Sequence, residues 1–229
     1  ASDIVSRDYN VTNDLPEPIF SHSTATYNND VNLQIIVTPG ATIFYTTDGS
    51  VPSIIAGEPG NANTFKAPTN PYTITIDTTG TTIKAKAWSS SSNPSNIREE
   101  IYTLKCATPT PPIGKQPDTY YDAISFNLSN DTTGAEVRYT TNGTTDPASL
   151  ATPTGTSVTL DGNTNGNQAP LRAVATKAGY LNSDEYSGNY VFKCAPVNLV
   201  VTQGSGSAAP SITYDSETAL VYTSNIKIK

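Results

Sequence analysis

The 229 residues include one His, one Trp, two Cys and no Met. One His and two Cys cannot build a His/Cys metal site or a Cys–His nucleophile pair with any redundancy, which disfavours an enzyme and predicts no metal or cofactor. Charge is scarce as well. Only 14% of the chain is Asp, Glu, Lys or Arg, against about 25% in ordinary globular proteins. The 13 Lys and Arg are scattered among 20 Asp and Glu, for a net charge of −7, and so leave no electrostatic footprint for nucleic acid. No apolar run approaches the ~20 residues of a membrane helix. The Ala, Leu, Glu and Lys surplus of helical proteins is missing too. In its place stand Thr, Val, Ile, Tyr and Asn. Ser and Thr make up about a quarter of the chain, with 17 Pro, 15 Gly and 13 Tyr.

The chain begins at Ala1, as a mature protein cut after a small-residue signal-peptidase site would; an excised fragment would look the same. Low Lys content, a Thr/Asn-rich surface and an acidic balance fit an extracellular or cell-surface protein. Four glycosylation sequons, at Asn10, Asn127, Asn130 and Asn142, carry little weight, because chance supplies as many in a chain this rich in Asn, Ser and Thr.

The organising feature is an internal repeat. Gly40-Ala41-Thr42-Ile43-Phe44-Tyr45-Thr46-Thr47-Asp48-Gly49-Ser50, followed by Pro52, returns 94 residues on as Gly134-Ala135-Glu136-Val137-Arg138-Tyr139-Thr140-Thr141-Asn142-Gly143-Thr144, followed by Pro147. Thr82–Ala87 matches Pro170–Ala175, and Tyr102–Ala107 matches Tyr190–Ala195, both 88 residues on. Each unit of about 90 residues reads as short strands with a two-residue period. Val31, Leu33, Ile35 and Val37 share one face, as do Ile124, Phe126 and Leu128. Pro39-Gly40, Asp48-Gly49, Thr79-Gly80, Asn142-Gly143 and Asp161-Gly162 mark turns between them. Antiparallel sheets with one buried face produce this alternation. The expected fold is all-β: two tandem Ig-like β-sandwiches with strand-forming N- and C-terminal tails.

The stretch from Tyr45 to Pro52, with Thr82–Ala87 and Tyr102 as later strands, resembles the fibronectin-III-associated, or chitobiase/β-hexosaminidase C-terminal, Ig-like domain. Residues 15–105 carry the resemblance; 106–194 match more loosely, departing at Asn142 and Thr144 and at the spacing before Pro147. The resemblance implies a secreted, usually non-catalytic module found beside glycan-active enzymes and in bacterial surface proteins, with no catalytic residues to carry over.

The remaining segments, 1–14 and 195–229, echo parts of the units. Asp8-Tyr9-Asn10-Val11 is similar to Ile101-Tyr102-Thr103-Leu104, a closing strand, 93 residues on. Thr213-Tyr214 and Ala219–Asn225 echo Thr119-Tyr120 and Ala123–Leu128, the opening strands, beyond a Gly204-Ser205-Gly206-Ser207 joint. An orphan amphipathic strand leaves backbone groups and an apolar face unpaired. Donation to a neighbouring subunit solves this, and a head-to-tail contact of that kind generates a filament. The alternatives are a strand that completes its own sheet, or a boundary within a longer array. The candidate assembly residues are Ile4, Val5, Tyr9, Val11, Leu220, Tyr222, Ile226 and Ile228.

Cys106 and Cys194 stand at equivalent positions about a domain length apart, too far for an internal disulfide unless the units lie side by side. An intersubunit bond suits an oxidising compartment, and two buried thiols are the alternative. Asp161–Gly166 opens like a calcium loop, but Arg172 stands where a bidentate Glu belongs, so a polar hairpin turn is the reading. His22 reads as a surface residue, and Glu99, Glu100 and Glu136 as strand or turn residues. Trp88 and the Tyr residues could stack on a sugar, although most Tyr fall in core phase. Two functions follow. One is a secreted, self-associating structural subunit of an extracellular filament. The other is a carbohydrate-binding or spacer module, with polysaccharide as partner, from a glycan-active or adhesive surface protein.

Overall fold

Val31, Leu33 and Ile35 are buried and the residues between them are not, so the two-residue period of the sequence becomes an inward and an outward face. The structure, a computed structural model, describes residues 13–149, 155–162 and 167–194, with backbone alone for 212–214 and 220–222. Residues Ala1–Lys193 form one compact unit and Cys194–Lys229 a second. The described residues include no α-helix, only a single 3₁₀ turn at Pro147–Ser149. None of their helices is long and apolar enough to cross a membrane.

The first sandwich is built from β1 (Ile19–Phe20), β2 (Ala25–Tyr27), β3 (Val31–Ile36), β4 (Thr42–Thr46), β5 (Ile54–Ile55), β6 (Glu58–Pro59), β7 (Phe65–Lys66), β8 (Tyr72–Ile76), β9 (Thr81–Trp88) and β10 (Arg98–Leu104). One sheet runs β1-β3-β8 and the other β2-β10-β9-β4-β7. Leu33, Ile35, Ile43, Ile83, Tyr102 and Leu104, each at most 1% exposed, fill the space between them.

The second sandwich uses β11 (Thr119–Tyr120), β12 (Ile124–Asn127), β13 (Glu136–Thr140), β14 (Ser157–Leu160), β15 (Gln168–Thr176) and β16 (Tyr186–Phe192). Its sheets are β11-β16-β15-β13 and β12-β14, closed over Val158, Leu160, Leu171 and Tyr190. In the remaining unit, β17 (Ile212–Tyr214) and β18 (Leu220–Tyr222) pair antiparallel.

The sheets are not wholly antiparallel as the alternation suggests. The closing strand of each sandwich runs parallel to its opening strand, β10 to β2 and β16 to β11. In both, a fully buried tyrosine of the closing strand donates its hydroxyl to a backbone carbonyl ahead of the opening strand: Tyr102 to His22 and Tyr190 to Lys115, both at 2.9 Å. Burial without that partner would cost on the order of 1–3 kcal/mol. The turn motif is also shared. Asp48 Oδ1 accepts the Ser50 N–H at 2.9 Å, and Asn142 Oδ1 accepts that of Thr144 at 3.1 Å.

The sequence pattern assigns Ile43 and Tyr45 to the core but misses Phe44, which is fully buried on the opposite face of β4. The segment between β4 and β8 folds over that face. Trp88 stands edge-on to Phe44 with centroids 6.5 Å apart, and a Cβ on Gly57 would lie 2.6 Å from the indole.

Candidate functional site

Among the described residues, the two sandwiches meet in a contact that combines side-chain bonds, backbone bonds and apolar packing. The turn after β2 presents Asn29 and Asp30, the turn after β8 presents Asp77–Thr79, and β10 ends at Leu104. Facing them are the loop between β12 and β13 and the loop between β15 and β16. Asn29 is held from both ends: its amide donates to the Asp131 carbonyl at 3.0 Å, and its Oδ1 accepts the Thr133 N–H at 2.8 Å. Asp30 Oδ1 accepts Lys177 Nζ at 2.9 Å and the Tyr180 hydroxyl. Lys177 also lies 4.2 Å over the Tyr180 ring, a cation–π geometry.

Charge and solvation at this trio are mutually supporting. The Tyr180 hydroxyl and the Lys177 ammonium hold the Asp30 carboxyl below its ordinary value. Burial and the bond to Asp30 push Tyr180 up. For Lys177, partial burial works against the charge, but the hydrogen bonds to Asp30 and Tyr180 prevail and raise it. The group favours the ionised carboxylate, the ammonium and the neutral phenol together.

The backbones interlock beneath it. Thr79 N donates to the Gly179 carbonyl at 2.6 Å. Gly179 has φ of +82°, and a Cβ there would stand 2.6 Å from the Asp77 carbonyl oxygen, so no other residue fits without displacement. Leu181 N donates to Leu104 O at 2.9 Å and Leu181 O accepts from Cys106 N at 3.0 Å, forming a parallel bridge at Lys105. Lys105 Nζ reaches Asp184 at 2.7 Å. Ala175 and Tyr180 of the second sandwich are members of the first sandwich's core, so apolar packing is continuous through the joint. Such a joint resists hinging, because bending it exposes core and breaks hydrogen bonds at once.

The sequence-derived site residues distribute as follows. Ile4, Val5, Tyr9, Val11, Ile226 and Ile228 lie outside the described residues, while Leu220 and Tyr222 lie on β18. Thr213–Tyr214 and Ala219–Asn225 echo β11 and β12 in sequence. Those strands sit in different sheets, however, whereas β17 and β18 pair with each other. Both cysteines are free. Cys106 is buried in the first core, where desolvation raises its thiol pKa, and Cys194 is exposed. Surface access for an intersubunit bond therefore exists at Cys194 alone, and the reading of two buried thiols is corrected for it.

His22 is half-buried and edge-on to Tyr27, not a bare surface residue. Glu99 pairs with Lys84 at 3.3 Å, Glu136 with Arg138 at 3.8 Å, and Glu100 with Arg98. Burial works against the Glu100 carboxylate, but hydrogen bonds from Thr24 and the Arg98 charge hold its pKa below the ordinary value. The Glu99 and Glu136 pairs lie on strand surfaces, whereas Glu100 is buried. Arg172 makes a bidentate pair with Glu185, both bonds 2.7 Å, while residues 163–166 of the calcium-like loop lie outside the described residues. Among the described residues no three His, Cys, Asp or Glu side chains cluster as metal ligands. Trp88 is half-buried, with its ring over Gly57 and against Phe44.

Residues 22–99, from the turn after β1 into β10, match the family described as the chitobiase/beta-hexosaminidase C-terminal domain. The first sandwich carries that family's pattern. The match to the chitobiase-type domain ends at residue 99, before the second sandwich begins. No protein of curated function matches the chain. Solved structures similar to it include murine CEACAM1b, at 10% identity, covering 80% of this chain and 99% of that one, with a TM-score of 0.30. The fibronectin(III)-like modules of Clostridium thermocellum CbhA are similar at 13% identity, over 82% and 100% of the two chains, with a TM-score of 0.27. The tandem Ig repeats of Dlar are similar at 12% identity, over 79% and 100%, with a TM-score of 0.26.

Proposed function

We propose that the chain is a non-catalytic structural subunit of an extracellular or cell-surface fibre, joined head-to-tail by β-strand donation. The locked junction is the observation that carries this reading. A fibre transmits force through its joints, and a joint with continuous core, a charge-assisted Asp30–Lys177–Tyr180 group and a glycine-tight backbone contact passes strain without bending. The amphipathic patterns around Ile4–Val11 and Leu220–Ile228 supply the strands for joining copies. Electron microscopy of the concentrated chain tests it. Filaments are expected, and they should vanish when residues 1–12 or 213–229 are deleted. Assembly unchanged by both deletions refutes the reading.

The chitobiase-type match over residues 22–99 favours a second reading, a carbohydrate-associated spacer in a larger secreted protein. Measurable retention on insoluble chitin by a chain that stays monomeric selects it over the first.

A further inference from the structure

Two aromatic rings stand exposed among the described residues, Phe65 at 46% and Tyr121 at 53%. The sequence points to Trp88 and the tyrosines for stacking on a sugar, but Trp88 and every other described tyrosine are buried or half-buried. Phe65 differs from Tyr121 in being backed by further rings. It lies on β7, the outer strand of the five-stranded sheet, opposite Tyr45 of β4. Its ring stacks on that of Tyr45 at 5.4 Å and 28°, and Tyr45 in turn meets Tyr72 at 5.6 Å. One face of Phe65 is thus covered by Tyr45, and what remains in solvent is the opposite face and the rim.

The backbone on either side of the ring is fixed. Thr64 is buried, accepts the Ser53 N–H at 2.9 Å and donates its hydroxyl to Asn61 at 2.8 Å. Lys66 donates to the Gly57 carbonyl at 3.0 Å and to Glu58 at 2.6 Å. A ring held in place loses little freedom when a ligand stacks on it.

Polar groups stand at the same end of the ribbon. Because β4 and β7 run antiparallel, the chain leaving Tyr45 and the chain arriving at Phe65 lie side by side. There Asn63 donates its amide to Asp48 Oδ2 at 2.7 Å. Asp48 Oδ1 accepts the Ser50 hydroxyl at 2.6 Å and the Ser50 N–H at 2.9 Å, and these bonds hold the carboxyl below its ordinary value. Asn63 and Asp48 are both exposed, so the pair offers an amide oxygen, an amide hydrogen and a carboxylate lone pair to solvent.

An apolar ring face beside fixed donors and acceptors matches a pyranose, which has a flat C–H face and hydroxyls around its rim. Equatorial substituents leave that face bare, as in β-linked glucose and N-acetylglucosamine chains. A stable protein partner needs about 1,000 Å² of contact, far more than one ring supplies. The net charge of −7, the Asp48 carboxylate and the engagement of Lys66 with Glu58 disfavour an acidic sugar. Resting on the carbohydrate-associated reading, we propose that Phe65, Asn63 and Asp48 form a binding site for a neutral, β-linked polysaccharide. One pyranose stacks on the free face of Phe65, and its hydroxyls bond to Asn63 and Asp48.

The test measures retention of the full chain on insoluble chitin, on cellulose and on immobilised polygalacturonate, with circular dichroism checking the fold of each variant. Phe65→Ala should lower the partition constant on a neutral matrix by about tenfold, and Asn63→Ala by about threefold. Tyr121→Ala, in the second sandwich, should leave it unchanged. Phe65→Leu keeps an apolar side chain without the ring and replaces Phe65→Ala should that variant unfold. Retention that survives loss of the Phe65 ring overturns the site and leaves the carbohydrate-associated reading standing. Retention untouched by Asn63→Ala overturns the polar half of the site, and stronger retention on polygalacturonate overturns the neutral class. A wild-type chain that none of the three matrices retains overturns both the site and the reading.

Discussion

Tyr180 donates its hydroxyl to Asp30, 150 residues away in the sequence and in the other sandwich. Lys177 joins the same carboxylate oxygen, so one surface turn of the first sandwich is held by two donors of the second. Asp30→Asn should weaken the joint by about 0.5–1 kcal/mol, a modest loss because the carboxylate is 44% exposed and solvent screens it. Tyr180→Phe should cost a similar amount while keeping the ring. Both should broaden the distance distribution from small-angle X-ray scattering, with each sandwich still folded by circular dichroism.

The same group sets a pH window. Asp30 titrates below its ordinary 3.8, so its contribution is complete above that pH and is lost as pH falls through the folded value. Tyr180 and Lys177 titrate above their ordinary 10.0 and 10.5, so theirs are complete below those pH values and are lost as pH rises through the folded ones. The gap in urea midpoint between the wild type and Asp30→Asn should be flat from about pH 4 to pH 10 and close on the acid side. A gap that widens in acid contradicts the assignment.

Gly179→Ala tests the backbone approach. A methyl group 2.6 Å from the Asp77 carbonyl cannot be absorbed by a rotamer change, and φ of +82° is itself costly for alanine. A loss of about 1–3 kcal/mol is expected. Differential scanning calorimetry reads it, and a variant melting within a degree of the wild type would count against a tight joint.

The thiols should report on the same joint. Cys194 is exposed and should react with a maleimide within minutes, whereas Cys106 is buried, with its N–H bonded to Leu181. Gly179→Ala should speed labelling of Cys106 by loosening that bond and leave Cys194 unchanged. Mass spectrometry of time points distinguishes the two sites.

Much of the fold was legible because a half-buried strand must alternate. Val31, Leu33 and Ile35 declare their face, and Tyr102 and Tyr190 mark equivalent strands. Phe44 was not legible, since nothing local shows that a later segment folds over its side of β4. The parallel pairing of β10 with β2 was hidden for a related reason: alternation records which face is buried and says nothing of strand direction. The joint was hidden most deeply. Asn29, Asp30, Asp77, Lys177 and Gly179 sit in turns, where polar residues and glycine are expected anyway. Only their approach across about 150 residues turns a generic turn composition into a contact.

Trp88 is the chain's sole tryptophan, and its indole rests on Gly57 and Phe44, wholly within the first sandwich. The indole is thus an optical label confined to one of the two sandwiches. Indole emission follows the melting of that half alone, while far-ultraviolet dichroism follows both. If the joint couples the halves, the two signals must trace one curve in the wild type. Where the joint is cut, they must come apart.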